Sequence, residues 1–92
     1  MEQVSTNYSE EEQAWVSPEI ELHRDIYLMV TLKTPGKLII RQDCGDGDTP
    51  RVPIKRHKDT TVFQLRFSVV PETVKIQIFT STEPKEIKYA YI

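Results

Sequence analysis

The chain has a single cysteine, Cys44, among 92 residues. No internal disulfide can form, so the fold rests on its apolar core, in a reducing compartment or outside the cell without bridges. No run of 18 apolar residues occurs, which excludes a membrane-spanning helix. Met1-Glu2-Gln3-Val4-Ser5 has neither a basic stretch nor an apolar one after it, so the chain does not read as a secretory precursor. Lysine and arginine are absent before Arg24, whereas five of the 14 acidic residues (Glu2, Glu10, Glu11, Glu12, Glu19) fall in the first 19. From Ile20 onward the balance is therefore a mild +3 of mixed sign, well short of the basic stripe of a dedicated nucleic-acid binder. Helical periodicity is absent after Ile20. What remains is alternation.

One domain is all that this length allows, and a domain of this size buries only about 60–65% of its unfolded surface. The polar, acidic segment 1–18 is expected to be a flexible N-terminal arm, followed by one β-domain over 19–92. Within the arm, Ser9-Glu10-Glu11-Glu12 could cap one helical turn, or Trp15-Val16 could open an edge strand limited by Pro18. Asn7-Tyr8-Ser9 fits the glycosylation pattern, which matters only in a eukaryotic secretory pathway.

Ile26, Leu28, Val30 and Leu32 alternate with Tyr27, Met29, Thr31 and Lys33, giving four successive matches to a half-buried strand. Thr34-Pro35-Gly36-Lys37 follows. Proline presets φ at the second turn position and glycine tolerates positive φ at the third, so a type II turn and a hairpin to Leu38–Gln42 are expected. Pro53 confines Arg51–Lys55 to an edge or bridging strand, and Arg56–Thr60 reads as a polar connection. Phe63, Leu65 and Phe67 point inward in the next strand, with Val62, Gln64 and Arg66 outward. Val74, Ile76 and Ile78 mark a further strand, and Ile87 to Ile92 the last. About six or seven short strands with no helix to cover them make an all-β chain, a small antiparallel β-sandwich or barrel.

Asp43-Cys44-Gly45-Asp46-Gly47-Asp48-Thr49 is the densest turn sequence. Its plain reading is a strand-linking turn, with Gly45 and Gly47 at positive φ and the aspartates bonded to local amides. Asp43, Asp46 and Asp48 are also hard oxygen donors, but position 12 of an EF-hand loop counted from Asp43 is Ile54, so that motif fails. The strand followed by Gly45-Asp46-Gly47 resembles the PKD-type β-sandwich, and the related β-sandwich of Bacteroides-type surface proteins that carry leucine-rich repeats. Cys44 stands where an aromatic residue is usual, and Asp48 intervenes before Thr49. The resemblance implies a non-enzymatic module of a bacterial surface or envelope protein that spaces, caps or binds a protein or polysaccharide. It carries over no catalytic residue and no cofactor.

Two further groups could bind. Phe79, Tyr89 and Tyr91 would suit sugar or protein contact if exposed on a sheet, although tyrosine is also an ordinary strand residue. Arg51, Lys55, Arg56 and Lys58 could dock an acidic partner, phosphate or nucleic acid, against the plainer reading of a solvated loop. The absence of flanking aromatics for base stacking argues against nucleic acid. The alternative to a surface module is thus a cytosolic regulatory or nucleic-acid-associated β-barrel using loop 51–58. His23, His57 and Cys44 have no recognised metal-ligand spacing. Cys44 beside three aspartates is a poor thiolate. If 43–49 is a turn and no more, millimolar calcium will leave the Asp43, Asp46 and Asp48 amide resonances unmoved in an NMR titration; shifts confined to those three would instead assign a hard-cation site.

Overall fold

The computed structural model describes residues 1–44, 52–67 and 72–92. The chain is all-β and antiparallel, with no helix among the described residues. Its strands are β1 (Glu2–Gln3), β2 (Asn7–Ser9), β3 (Ala14–Val16), β4 (Ile20–Leu22), β5 (Ile26–Cys44), β6 (Ile54–Phe67), β7 (Glu72–Phe79) and β8 (Glu86–Tyr91). All eight belong to one curled sheet, ordered β1-β8-β5-β7-β3-β2, with β4 on β7 and β6 on β5.

β5 is the axis, at 19 residues. Along one edge it pairs with β6, from Ile26↔Phe67 to Ile40↔Ile54. Its other edge is shared, because Ile26–Thr31 pair with β8 and Lys37–Cys44 pair with β7. The alternating residues enter one core, as their period requires: Ile26, Leu28, Val30, Leu32, Leu38 and Ile40 of β5 are buried with Phe63, Val74, Ile76, Ile78 and Ile87. Each such side chain contributes about 1.5–3 kcal/mol on leaving water, which a small domain without disulfides needs.

The expected turn at Thr34-Pro35-Gly36-Lys37 does not form. The strand continues through it, and the ladder to β6 shifts register on either side of Gly36. Pro35 lies between the paired residues Thr31 and Gly36, where the shifted ladder asks no N–H of it. The same Pro-Gly chemistry thus makes a bulge and a bend instead of a reversal. The demand at Gly36 is steric, since its φ is not in the left-handed region. A Cβ there would sit 2.5 Å from the Phe79 carbonyl oxygen and 2.8 Å from Thr80 Cβ. Thr80 closes the same corner by donating its hydroxyl to the Thr34 carbonyl at 2.8 Å.

Two other expectations are corrected. Arg56–Thr60 is not a loop but part of β6, and the paired residues skip from Arg56 to Thr60, so that His57, Lys58 and Asp59 bulge from the ladder. The first 18 residues, expected as a flexible arm, supply three strands. β1 pairs with β8, β2 with β3, and β3 with β7. β3 is no edge, being paired on both sides, and Pro18 falls just beyond it. Ala14 and Ser17 are buried there, and Trp15 packs on the core. Ser9 does cap, its hydroxyl accepting from the Glu12 amide at 3.2 Å, but the result is a four-residue hairpin turn closed by Gln13 at φ 53° and not a helix.

Because the Gly36 site is walled by backbone, Gly36→Ala is expected to cost about 2 kcal/mol or more. For a domain of this size that lowers the thermal unfolding midpoint by about 10 °C, read by circular dichroism.

Candidate functional site

β6 is 14 residues long and contacts β5 alone, so its second edge carries no strand among the described residues. An edge of this kind presents a row of outward N–H and C=O groups. Two of its backbone groups are answered by its own side chains: the Val62 amide donates to Thr60 Oγ1 at 3.4 Å, and the Lys55 carbonyl accepts from Arg56 Nη1 at 3.0 Å. From Thr61 the expected alternation holds, with Phe63 buried, Thr61 and Leu65 half-buried, and Val62, Gln64 and Arg66 exposed. Lys55, Arg56, His57 and Lys58 are all exposed as well. Asp59 is the one acid of β6 and is held by Lys37 Nζ at 3.0 Å. Among the described residues, no carboxylate pairs with Lys55, Arg56, Lys58 or Arg66. The strand therefore carries +3, against −5 on the rest of the chain.

The other sequence-derived candidates do not assemble. Asp46, Asp48 and Arg51 lie outside the described residues, as do the side chains of Asp43 and Cys44, and backbone pairing places Asp43 opposite Thr73. Phe79 lies on the face of β7 opposite the buried Ile76 and Ile78, whereas Tyr89 and Tyr91 share the core face of β8 with Ile87. The three aromatics thus form no common strip. Burial, then the neighbouring Tyr91 and Glu2, raises the Tyr89 phenol above its ordinary pKa. Tyr91 instead closes one end of the core, with the His23 ring 4.6 Å away, the Arg24 guanidinium 4.9 Å from its ring centre, and its hydroxyl 3.2 Å from His23 Nδ1. No group of three His, Cys, Asp or Glu able to hold a metal occurs among the described residues.

A polar network escaped the sequence reading. Gln77 faces away from the core, yet it is buried because the β2–β3 turn lies over it. Glu12 on that turn accepts from Gln77 Nε2 and from Lys75 Nζ, the latter at 3.2 Å, while Arg41 Nε donates to Gln77 Oε1 at 2.8 Å. Both amide ends of a buried glutamine are thereby satisfied. An open cleft of about 300 Å³ beside it is lined by Glu19, Arg41, Gln42, Pro53, Thr73 and Lys75. Of its two cations, Lys75 is paired with Glu12 and Arg41 is positioned by Gln77 through Nε. The sequence signal was faint: a lone glutamine among β-branched residues, and an acidic triplet read as solvated.

No protein-family model, no curated protein and no solved structure matches the chain.

The bonded Lys75 ammonium holds the Glu12 carboxyl below the usual carboxylate range, opposed by desolvation and aided by Gln77 and Arg41. Folding therefore gains stability from Glu12 above the unfolded pKa, about 4.3, and loses it as pH falls through the lower folded value. Urea midpoints measured against pH are expected to fall on acidification less steeply in Glu12→Gln than in the wild type, and the variant's deficit to be largest near neutrality.

Proposed function

We propose that the chain is a non-catalytic interaction module that accepts an extended polypeptide segment as an added strand along β6. One observation supports this above the others: a 14-residue strand with no second partner among the described residues and with polar backbone along its open side. Strand addition draws affinity from main-chain hydrogen bonds and specificity from alternate side chains. A polypeptide fits that chemistry better than a polysaccharide, since Phe79, Tyr89 and Tyr91 do not share a face. That the module belongs to a bacterial surface or envelope protein rests on the Gly45-Asp46-Gly47 resemblance alone.

The cations of β6 favour a second reading, a nucleic-acid-associated barrel using 51–58. Single-strand binders add exposed aromatics on which bases stack. Among its described side chains β6 offers only the His57 imidazole, at the bulge: Phe63 is buried and the others are aliphatic or non-aromatic polar.

A display library of random heptapeptides selected on the intact chain tests the proposal. Selected peptides are expected to lose binding to Gln64→Pro, which removes a donor two residues along the same open edge from the Val62 amide that Thr60 occupies, while circular dichroism shows the fold retained. Peptides indifferent to Gln64→Pro would overturn strand addition. Strongly salt-dependent binding of a single-stranded oligonucleotide, abolished by Arg56→Gln with Lys58→Gln, would favour the nucleic-acid reading instead.

A further inference from the structure

We infer that the segment recognised at β6 is acidic and docks along Thr60–Arg66, between two cationic flanks. This rests on the strand-accepting reading above and adds the register and the chemistry of the partner.

The register follows from where the edge is usable. Around 57–59 the ladder to β5 is interrupted, and bulged residues do not continue an added strand. Just before the bulge, the Lys55 carbonyl is already taken by Arg56. From Thr60 to Arg66 β6 has no extra residue of its own: the register shift between Val62↔Thr31 and Thr60↔Gly36 is taken up by extra residues on β5, and from Val62↔Thr31 to Phe67↔Ile26 the pairing runs without a break. Over that span Val62 is 49% exposed on one face, and Thr61 and Leu65 are half-buried on the other. Side chains of an added strand would cover both, so apolar or β-branched residues suit its middle.

The charge follows from the flanks. Lys58, Arg56 and Lys55 stand at one end of the window and Arg66 at the other, all exposed and without a carboxylate partner among the described residues. A second copy of the chain is the wrong occupant, because two β6 edges would oppose +3 with +3, and like charges facing across strands are destabilising. The same charges that guard the edge against self-pairing select a partner of opposite sign. Acidic residues at the ends of the added strand would meet both flanks.

The test uses the intact chain labelled with nitrogen-15 and three synthetic peptides, blocked at both ends and alternating valine with glutamate, glutamine or lysine. The glutamate peptide is expected to shift the amides of residues 60–66 and to bind about tenfold tighter than the glutamine peptide at low salt, as three or four exposed ion pairs allow. Added salt should erase that advantage, and the lysine peptide should not bind. Arg56→Gln with Lys58→Gln, which leaves Lys55 and Arg66 in place, should cut the glutamate peptide's advantage from about tenfold to about threefold and leave the glutamine peptide's affinity unchanged. Equal affinity of both peptides, with shifts at 60–66, would overturn the acidic preference while leaving strand addition standing. No shift at 60–66 with any peptide would overturn both. Concentration-dependent broadening of those amides in the chain alone would assign the edge to self-association, and tighter binding of a single-stranded oligonucleotide to the same cations would assign it to nucleic acid; either overturns the inference.

Discussion

Everything in this fold passes through the contact between Gly36 and the Phe79 carbonyl. β5 is the one strand shared by both halves of the sheet, and it has to bend for those halves to face each other across a core. The bend sits where the ladder shifts register, and a side chain at Gly36 would meet the backbone of β7. With the strand bent, Leu28 and Val30 from one half and Leu38 and Ile40 from the other enter the same apolar interior. Without it, a 19-residue strand would present two half-buried faces with nothing to cover them.

The same bend explains why the surface is divided as it is. β8 and β7 each occupy half of one edge of β5, and both are then flanked by N-terminal strands. β6 follows the opposite edge around the bend and is flanked by nothing else among the described residues. Long open edges are hazardous, and this one bears the devices that make such an edge tolerable: a bulge, a run of cations and side chains bonded to edge backbone. Such devices oppose edge-to-edge pairing between like strands. They also give the edge a sign, from which a partner can be inferred.

The core was legible in the sequence because it is written in alternation. Ile26 to Leu32 and Val74 to Ile78 carry the period of a half-buried strand, and those residues are the ones buried. Thr34-Pro35-Gly36-Lys37 was misleading because a Pro-Gly pair suits both a turn and a bulged bend; the choice depends on Phe79, which lies 43 residues away in the chain. Residues 1–18 misled for another reason. β1 and β2 are held by ladder hydrogen bonds, which leave no mark in hydrophobicity, and the turn between β2 and β3 is pinned by Glu12 on Lys75 and Gln77. Arg56 to Thr60 looked like a loop because an edge strand has few neighbours and can be polar throughout. The candidate site was visible only as a cationic run; that it lies along an open edge comes from topology.

Residue-resolved amide hydrogen exchange tests the arrangement most directly, since it reads β5 and β6 in one measurement. If β5 is a single bent strand paired along both edges, its amides from Leu28 to Thr31 and from Leu38 to Ile40 exchange slowly, and Gly36 is far slower than a turn residue. If the second edge of β6 is open, every other amide from Thr60 to Arg66 exchanges fast beside slow neighbours. Fast exchange at both Gly36 and Lys37, or uniform protection along β6, would contradict the account.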